Sequence, residues 1–279
     1  MNSRKFDKYE GFVVYFSGGR DSYVTLKLAY HVAKALNKPI VVVFIDTTIG
    51  IKETRDYVKS VVSRLGIELI VIRPKLTYKE YAAKYPYWPH ITGIRWCMFM
   101  LKIYPIADWL KENPRYLKWL HILGVRKAES THRNTFYNEL FSVRCYKKNI
   151  CVETWYPLLY VSDDKIEELV KYFGNERNPV WEKLGRSGDC ECAAAHDEDD
   201  LERVLIYYPE IAKEWYEIDE VIHKNRKSSE PSYMFGLRKK KIRYKDWYEQ
   251  KIKEIDKLKI KVSIKMPYTG KGCKGSCLR

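Results

Sequence analysis

The segment Val13-Val14-Tyr15-Phe16-Ser17-Gly18-Gly19-Arg20-Asp21-Ser22 constrains this chain more than any other. The apolar run over 12–16 reads as a buried parallel strand. Val24, Leu26, Leu28, Ala29, Val32, Ala33 and Leu36 follow at mostly helical spacing. A strand, a glycine turn and a helix in this order aim backbone N–H groups and a helix N-terminus at an anion. Gly18 and Gly19 let the backbone approach a phosphate with no Cβ in the way. Asp21 and Ser22 stand where the first helical turn begins. The Gly-x-x-x-x-Gly-Lys-Ser/Thr and Gly-x-Gly-x-x-Gly patterns are absent, which argues against a kinase-type P-loop and a dinucleotide fold.

Further along, Pro39–Ile45 reads as a second buried strand ending at Asp46-Thr47-Thr48. In an open parallel sheet, ligands bind beyond the carboxyl ends of strands. Asp46 is there either a nucleoside contact or a helix cap. A helix over 52–65 and a third strand over 68–72 follow. Residues 77–96, rich in Tyr, Trp and Pro, show no clean periodicity and read as a substrate-shaping loop or as packing. A helix over 105–113 and a strand over 119–123 come next. Arg126 then sits at a strand's carboxyl end, where a guanidinium can hold phosphate oxygens in a bidentate fork.

Several segments together resemble one family. Ser-Gly-Gly-Arg-Asp-Ser is similar to the PP-loop of the ATP pyrophosphatases, with Arg20 where many relatives carry lysine. Asp46-Thr47-Thr48…Glu53-Thr54 resembles the Asp-Thr-Gly…Pro-Glu-Thr signature of the phosphoadenosine-phosphosulfate (PAPS) reductase branch, with Thr48 at the family's glycine. Arg95-Trp96-Cys97-Met98, with Lys102 and Pro105, resembles the segment where two adjacent cysteines precede Arg-Lys and Pro-Leu. Cys97 matches the first cysteine, and Met98 replaces the second. Gly124-Val125-Arg126-Lys127-Ala128-Glu129-Ser130-Thr131-His132-Arg133 resembles Gly-Ile/Val-Arg-x-x-Glu-Ser-x-x-Arg. Asn178-Pro179-Val180-Trp181, Gly185, Arg186 and Gly188 lead to Cys190-Glu191-Cys192, one residue shorter than the family's Cys-x-x-Cys. The branch's C-terminal Glu-Cys-Gly-Leu/Ile-His motif is absent.

The resemblance covers residues 12–215. It implies an α/β fold, a Rossmann-like (HUP-type) parallel sheet with helices on both faces, plus a smaller C-terminal Cys-containing helical and basic extension. The expected division is 1–150 for nucleotide binding, 151–215 for the Cys190/Cys192 part and 216–279 for a basic aromatic tail. Ser17, Gly18, Gly19, Arg20, Asp21 and Ser22 would cradle phosphate, and Asp46 and Thr47 would address the nucleoside. Lys102, Arg126 and Arg133 would neutralise the anion, with Glu129 orienting an arginine. Asp21, Lys102 and Arg126 are thereby the implied catalytic residues.

Seven cysteines in a chain without a signal-like N-terminus point to metal or redox work in the cytoplasm. Cys190 and Cys192 are too close for a disulfide and well spaced for a metal. Cys145 and Cys151 are either structural thiols or a disulfide. The expected ligands are Cys97, Cys190 and Cys192, with Cys273 or Cys277 as a fourth. They would hold a 4Fe–4S cluster or, alternatively, zinc. Cys273 and Cys277 are also the candidate nucleophiles, or a tail with idle thiols.

Net charge is +15, and residues 224–265 hold 15 Lys/Arg against 5 Asp/Glu. With Tyr233, Phe235, Tyr244, Trp247 and Tyr248 interleaved, this stretch reads as a nucleic-acid surface or as a solvated basic helix. No run is apolar enough for a membrane span. Two chemistries fit: ATP with Mg²⁺ adenylating a tRNA or DNA acceptor before a sulfur-donor protein or sulfide displaces AMP, or APS/PAPS reduced to sulfite by a cysteine thiolate. A non-catalytic adenine-nucleotide module is a third class, and a homodimer is an expected assembly.

Overall fold

The structure, a computed structural model, describes residues 3–258. Strand β1 (Phe12–Tyr15) leads into α1 (Arg20–Ala35), then β2 (Ile40–Ile45), α2 (Lys52–Arg64), β3 (Glu68–Ile72) and α3 (Tyr78–Lys84). A short α4 (Trp96–Met98) passes through a π-helical turn at Phe99–Ile103 into α5 (Tyr104–Glu112). Then come β4 (Leu120–Ile122), α6 (Thr131–Phe136), β5 (Phe141–Lys147), β6 (Ile150–Trp155) and α7 (Asp163–Tyr172). Helices α8 (Pro179–Leu184), α9 (Glu198–Tyr207), α10 (Pro209–Asn225) and α11 (Tyr244–Leu258) complete the described chain.

The sheet runs β3-β2-β1-β4-β6-β5. Its first five strands pair in parallel, and β5 closes the edge antiparallel to β6. The expected parallel sheet thus carries one antiparallel edge hairpin. Strand β1 is buried on both faces. Phe12, Val14 and Phe16 pack with α1, α2 and α7, while Val13 and Tyr15 pack toward α5. This gives the Rossmann-like α/β layering, with helices on both faces. The chain reverses direction across the sheet between β1 and β4, so ligands belong at their carboxyl ends.

A third apolar cluster joins α3, Trp88, Trp96 and α8–α11. The 77–96 stretch is therefore not an aperiodic loop. It opens with α3, started by a Thr77–Glu80 capping box, and buries Tyr78, Ala82, Trp88 and Trp96. Residue 215 lies within α10, where Trp215 is fully buried and packs on Tyr244 of α11 at 5.7 Å. Tyr244 and Trp247, expected on a nucleic-acid surface, are core residues instead. Cys145 and Cys151 face each other across the β5–β6 hairpin and are joined as a disulfide. No helix among the described residues is long and apolar enough to cross a membrane.

Buried His121 on β4 lies beneath the site. Its Nδ1 accepts from the Tyr15 hydroxyl at 3.0 Å, and its Nε2 donates to the Tyr116 carbonyl at 3.0 Å. Burial pushes its pKa down to about 4, against the smaller opposing pull of the Tyr116 carbonyl. The unfolded chain then binds the extra proton between pH 6.5 and about 4, so folding stability falls as pH drops through that window. The loss should reach roughly 3 kcal/mol. Denaturant midpoints measured across this range should slope less in His121→Gln than in the wild type. Equal slopes would show that His121 is not the titrating group.

Candidate functional site

The turn after β1 is shaped by one left-handed glycine. Gly18 has φ +81°, and a Cβ there would lie 3.0 Å from Thr54 Cγ2. Gly19 then caps α1 without any side-chain hydrogen bond, so the helix N-terminus opens toward the sheet's carboxyl edge. The Ser22 hydroxyl donates to the Gly19 carbonyl at 2.9 Å and lies 3.2 Å from the Ser17 hydroxyl. Across the switch point, the chain leaving β4 passes close to α1. A Cβ on Gly124 would sit 3.0 Å from the Asp21 backbone.

A cavity of about 730 Å³ lies above these strand ends. Ser17, Gly19, Arg20, Asp21, Ser22, Lys102, Arg126, Glu129, Arg133, Cys190 and Cys192 all line it. Tyr15, Val43, Ile45, Leu123 and Val125 give it an apolar floor. Gly18 does not line the cavity; its carbonyl turns to Asn178 Nδ2 at 3.2 Å. Asp46 and Thr47 do not line the cavity. The Asp46 carboxylate is met by Arg73 at 2.9 Å and accepts from Thr48 N at 3.1 Å, while Thr47 Oγ1 donates to the Asp189 carbonyl at 2.8 Å. Thr48 itself adopts a left-handed conformation, at φ +65°, and its hydroxyl accepts from Tyr78 N at 2.8 Å.

The cavity's cations are each met by a carboxylate. Buried Arg126 donates through Nε to Asp21 and through Nη2 to Asp163, both at 2.8 Å. Arg20 binds Asp21 at 3.1 Å, Asp163 at 2.9 Å and Glu167 at 2.7 Å, and lies over the Trp181 ring. Arg133 pairs with Glu129. Lys102 reaches Asp189 at 3.0 Å. Burial works against the charged form of Asp163, but Arg126 and Arg20 outweigh it and hold its carboxyl below the ordinary value. Asp163 opens α7, and Asp189 directly precedes Cys190 in the chain. Nothing in either local sequence marks it as a partner of these cations.

The cysteines arrive from two distant segments. Cys97, Cys190 and Cys192 are the free cysteines among the described residues, and all three line one small cavity beside the first. Lys102, Cys190 and Cys192 belong to both. Tyr78 lies against the trio and donates from its hydroxyl to the Cys192 carbonyl at 2.9 Å. Its pKa is raised, first by burial and then by Cys192, Cys97 and Cys190.

Glu191, between the paired cysteines, is fully buried. It accepts from Arg186 at 3.1 and 2.8 Å and from His196 Nε2 at 2.8 Å. Burial would raise its carboxyl, yet Arg186 and His196 hold it well below the usual range. Its backbone N–H donates to the Ile49 carbonyl, and its carbonyl accepts from Trp215 Nε1 at 2.7 Å. The residue between the thiols is therefore fixed on every side.

Three soft thiol donors lining one cavity suit an iron–sulfur cluster or zinc. Among the described residues, no three Cys, His, Asp or Glu side chains are gathered into a formed metal-binding group. Cys97 comes from a helix and Cys190 and Cys192 from a loop, and all three line the one small cavity. Cys273 and Cys277 lie outside the described residues.

Residues 11–195 match the family described as phosphoadenosine phosphosulfate reductase domain. Two uncharacterised proteins of Methanocaldococcus jannaschii are each 29% identical, over 214 and 212 residues. Each match covers 73% of this chain, but 40% of one relative and 46% of the other. The chain thus spans less than half the length of the curated relatives it matches. Among solved structures, PAPS reductase from Candida auris in a phosphate complex is similar with TM-score 0.48 and 17% identity, over 64% of this chain and 82% of that one. NMN synthetase from Francisella tularensis has TM-score 0.46 and 17% identity, over 81% and 90%. A U34-tRNA thiolase from Methanococcus maripaludis, with its 4Fe–4S cluster, has TM-score 0.44 and 15% identity, over 80% and 74%. With well over half its length matched, this chain belongs to the phosphoadenosine phosphosulfate reductase domain family.

Proposed function

We propose that this chain is an ATP-dependent sulfurtransferase acting on a nucleic acid. One observation carries the reading: the nucleotide cavity and the cysteine cavity meet at Lys102, Cys190 and Cys192. MgATP would enter as substrate, its phosphates over Ser17–Ser22 and its base on the apolar strand ends. An acceptor oxygen attacks the α-phosphorus and pyrophosphate leaves. A hydrosulfide sulfur, supplied free or by a donor protein, then displaces AMP at the acceptor carbon. The N-terminus of α1 and the backbone of the glycine turn would steady the departing phosphate charge. Lys102 would bridge the two cavities, exchanging Asp189 for a phosphate oxygen. Cys97, Cys190 and Cys192 would hold a 4Fe–4S cluster, or zinc; a cluster so held would supply an open iron for the incoming sulfur. The fixed setting of Glu191 supports rigid ligands at positions 190 and 192 over a swinging nucleophile.

Anaerobically purified protein given MgATP, sulfide and a nucleic acid should release AMP and pyrophosphate in step with sulfur incorporation. Cys190→Ser should keep pyrophosphate release and lose more than about 100-fold of the sulfur transfer. Sulfite release from PAPS or APS, with no nucleic-acid-stimulated pyrophosphate, would overturn the reading in favour of a reductase. Retained ATP binding with no turnover of either kind would make the chain a binding module.

The site residues separate in a binding titration. Arg126→Lys keeps the charge but loses the fork to Asp21 and Asp163, and should weaken MgATP about tenfold. Asp46→Ala should change affinity less than about threefold, since its carboxylate is taken by Arg73. The opposite ranking would move the nucleoside to the Asp46 side of the sheet edge.

A further inference from the structure

Three cavities stand wall to wall. Beyond the cysteine cavity lies an outer cleft of about 450 Å³, and the two share Ile91, Arg95 and Met98. The cleft is bounded by the 91–95 loop, by Phe99 and by the β5–β6 hairpin at Cys145 and Tyr146. The cysteines are therefore flanked by two spaces, the nucleotide cavity on one side and this cleft on the other.

The cleft's chemistry is uneven in an informative way. Phe99 begins the π-helical turn and is 42% exposed, although Lys102 in the same turn is buried. Helical π-turns concentrate at functional sites because they re-aim side chains within one helix. Here the turn sends Lys102 inward and leaves Phe99 at the cleft. Met98 and Ile103 extend the apolar wall, and Arg95 supplies a cation. The 91–95 loop is backed by positive charge. His90 packs on Phe235 at 5.0 Å and meets Arg238 at 3.3 Å. Arg238 opens the run Arg238-Lys239-Lys240-Lys241, all exposed. Lys240 pairs with Glu198, while Lys239 and Lys241 form no ion pair among the described residues.

We propose that this cleft receives one unpaired nucleotide of a single-stranded nucleic acid segment, its base against Phe99 and Met98 and its phosphates toward Arg95 and the Arg238–Lys241 run. This rests on the reading that the acceptor is a nucleic acid, and it assigns the acceptor a route separate from that of ATP. Charge selects a polyanion. Position selects an unpaired base, because Cys97 and Cys192 are buried and a duplex cannot carry a stacked base edge to them. An aromatic face beside a cation is the usual platform for such a base.

The test uses the full chain with RNA and DNA strands of one sequence, about ten nucleotides long, carrying 5-iodouracil, and with the corresponding duplex. Single strands should bind at least tenfold more tightly than duplex, and irradiation should join the base to the 91–104 peptide. Phe99→Ala should weaken strand binding about tenfold while leaving MgATP affinity unchanged. Charge reversal at Lys239 and Lys241 should weaken strand binding and flatten its salt dependence. Binding of RNA alone or of DNA alone would support the cleft and identify the source of the nucleotide. Strands that bind but cross-link only elsewhere, with Phe99→Ala unaffected, would overturn the cleft and leave the nucleic-acid reading standing. If neither strand binds, both fall.

Discussion

The carboxamide of Asn178 ties together the two halves of the site. Its Nδ2 lies within hydrogen-bond distance of the Gly18 carbonyl at 3.2 Å, Thr54 Oγ1 at 3.0 Å and the Ser187 carbonyl at 2.8 Å, three acceptors for its two N–H groups, while its Oδ1 accepts from Val180 N and starts α8. One buried side chain thus links the turn after β1, helix α2 and the segment that runs on to Cys190. Leaving such donors and acceptors unmatched would cost about 1–3 kcal/mol each. The tie depends on close backbone approach at three glycines. Gly18 and Gly188 both have positive φ, and a Cβ on Gly50 would lie 2.6 Å from the Asp189 carbonyl. Segments more than 160 positions apart in the chain therefore face one cavity.

Electrostatics give that cavity its second property. Arg20, Lys102, Arg126, Arg133 and Arg186 would repel one another without counter-charges, and each has a carboxylate partner. The partners differ in exposure. Glu191 is fully buried and is part of the framework, whereas the Asp163 side chain is 64% exposed and Asp189 lies at the cavity wall. A nucleotide's phosphates can replace an exposed carboxylate on an arginine with little loss of desolvation energy, and cannot replace a buried one. The site is held together by one set of ion pairs and available to anions through another.

Much of the first half was legible. Strands β1 to β3 are short apolar runs with helical spacing between them, and the turn at Ser17–Ser22 lies where its residue types place it. The hairpin was hidden because its edge strand inverts the usual pattern, exposing Val143 while burying Arg144 and Tyr146. Helix α3 was hidden because tyrosines at 78, 81 and 85 carry its inner face and do not score as plainly apolar. Tyr244 and Trp247 were misplaced for the opposite reason: a strongly basic neighbourhood masked an inward stripe that only the packing of Trp215 reveals. Asp46 stood at the right strand end, but sequence alone does not say to which side a carboxylate turns. The convergence of Cys97 with Cys190 and Cys192 followed from family resemblance, since no periodicity links residues so far apart.

In the proposed function, nucleotide and thiols share one chamber. The most direct measurement is the rate at which a small alkylating reagent modifies Cys190 and Cys192, read by peptide mass spectrometry with and without saturating non-hydrolysable MgATP analogue. A shared chamber predicts marked slowing at both cysteines when the analogue is bound. Unchanged rates at saturation would place the nucleotide away from the thiols and contradict the account.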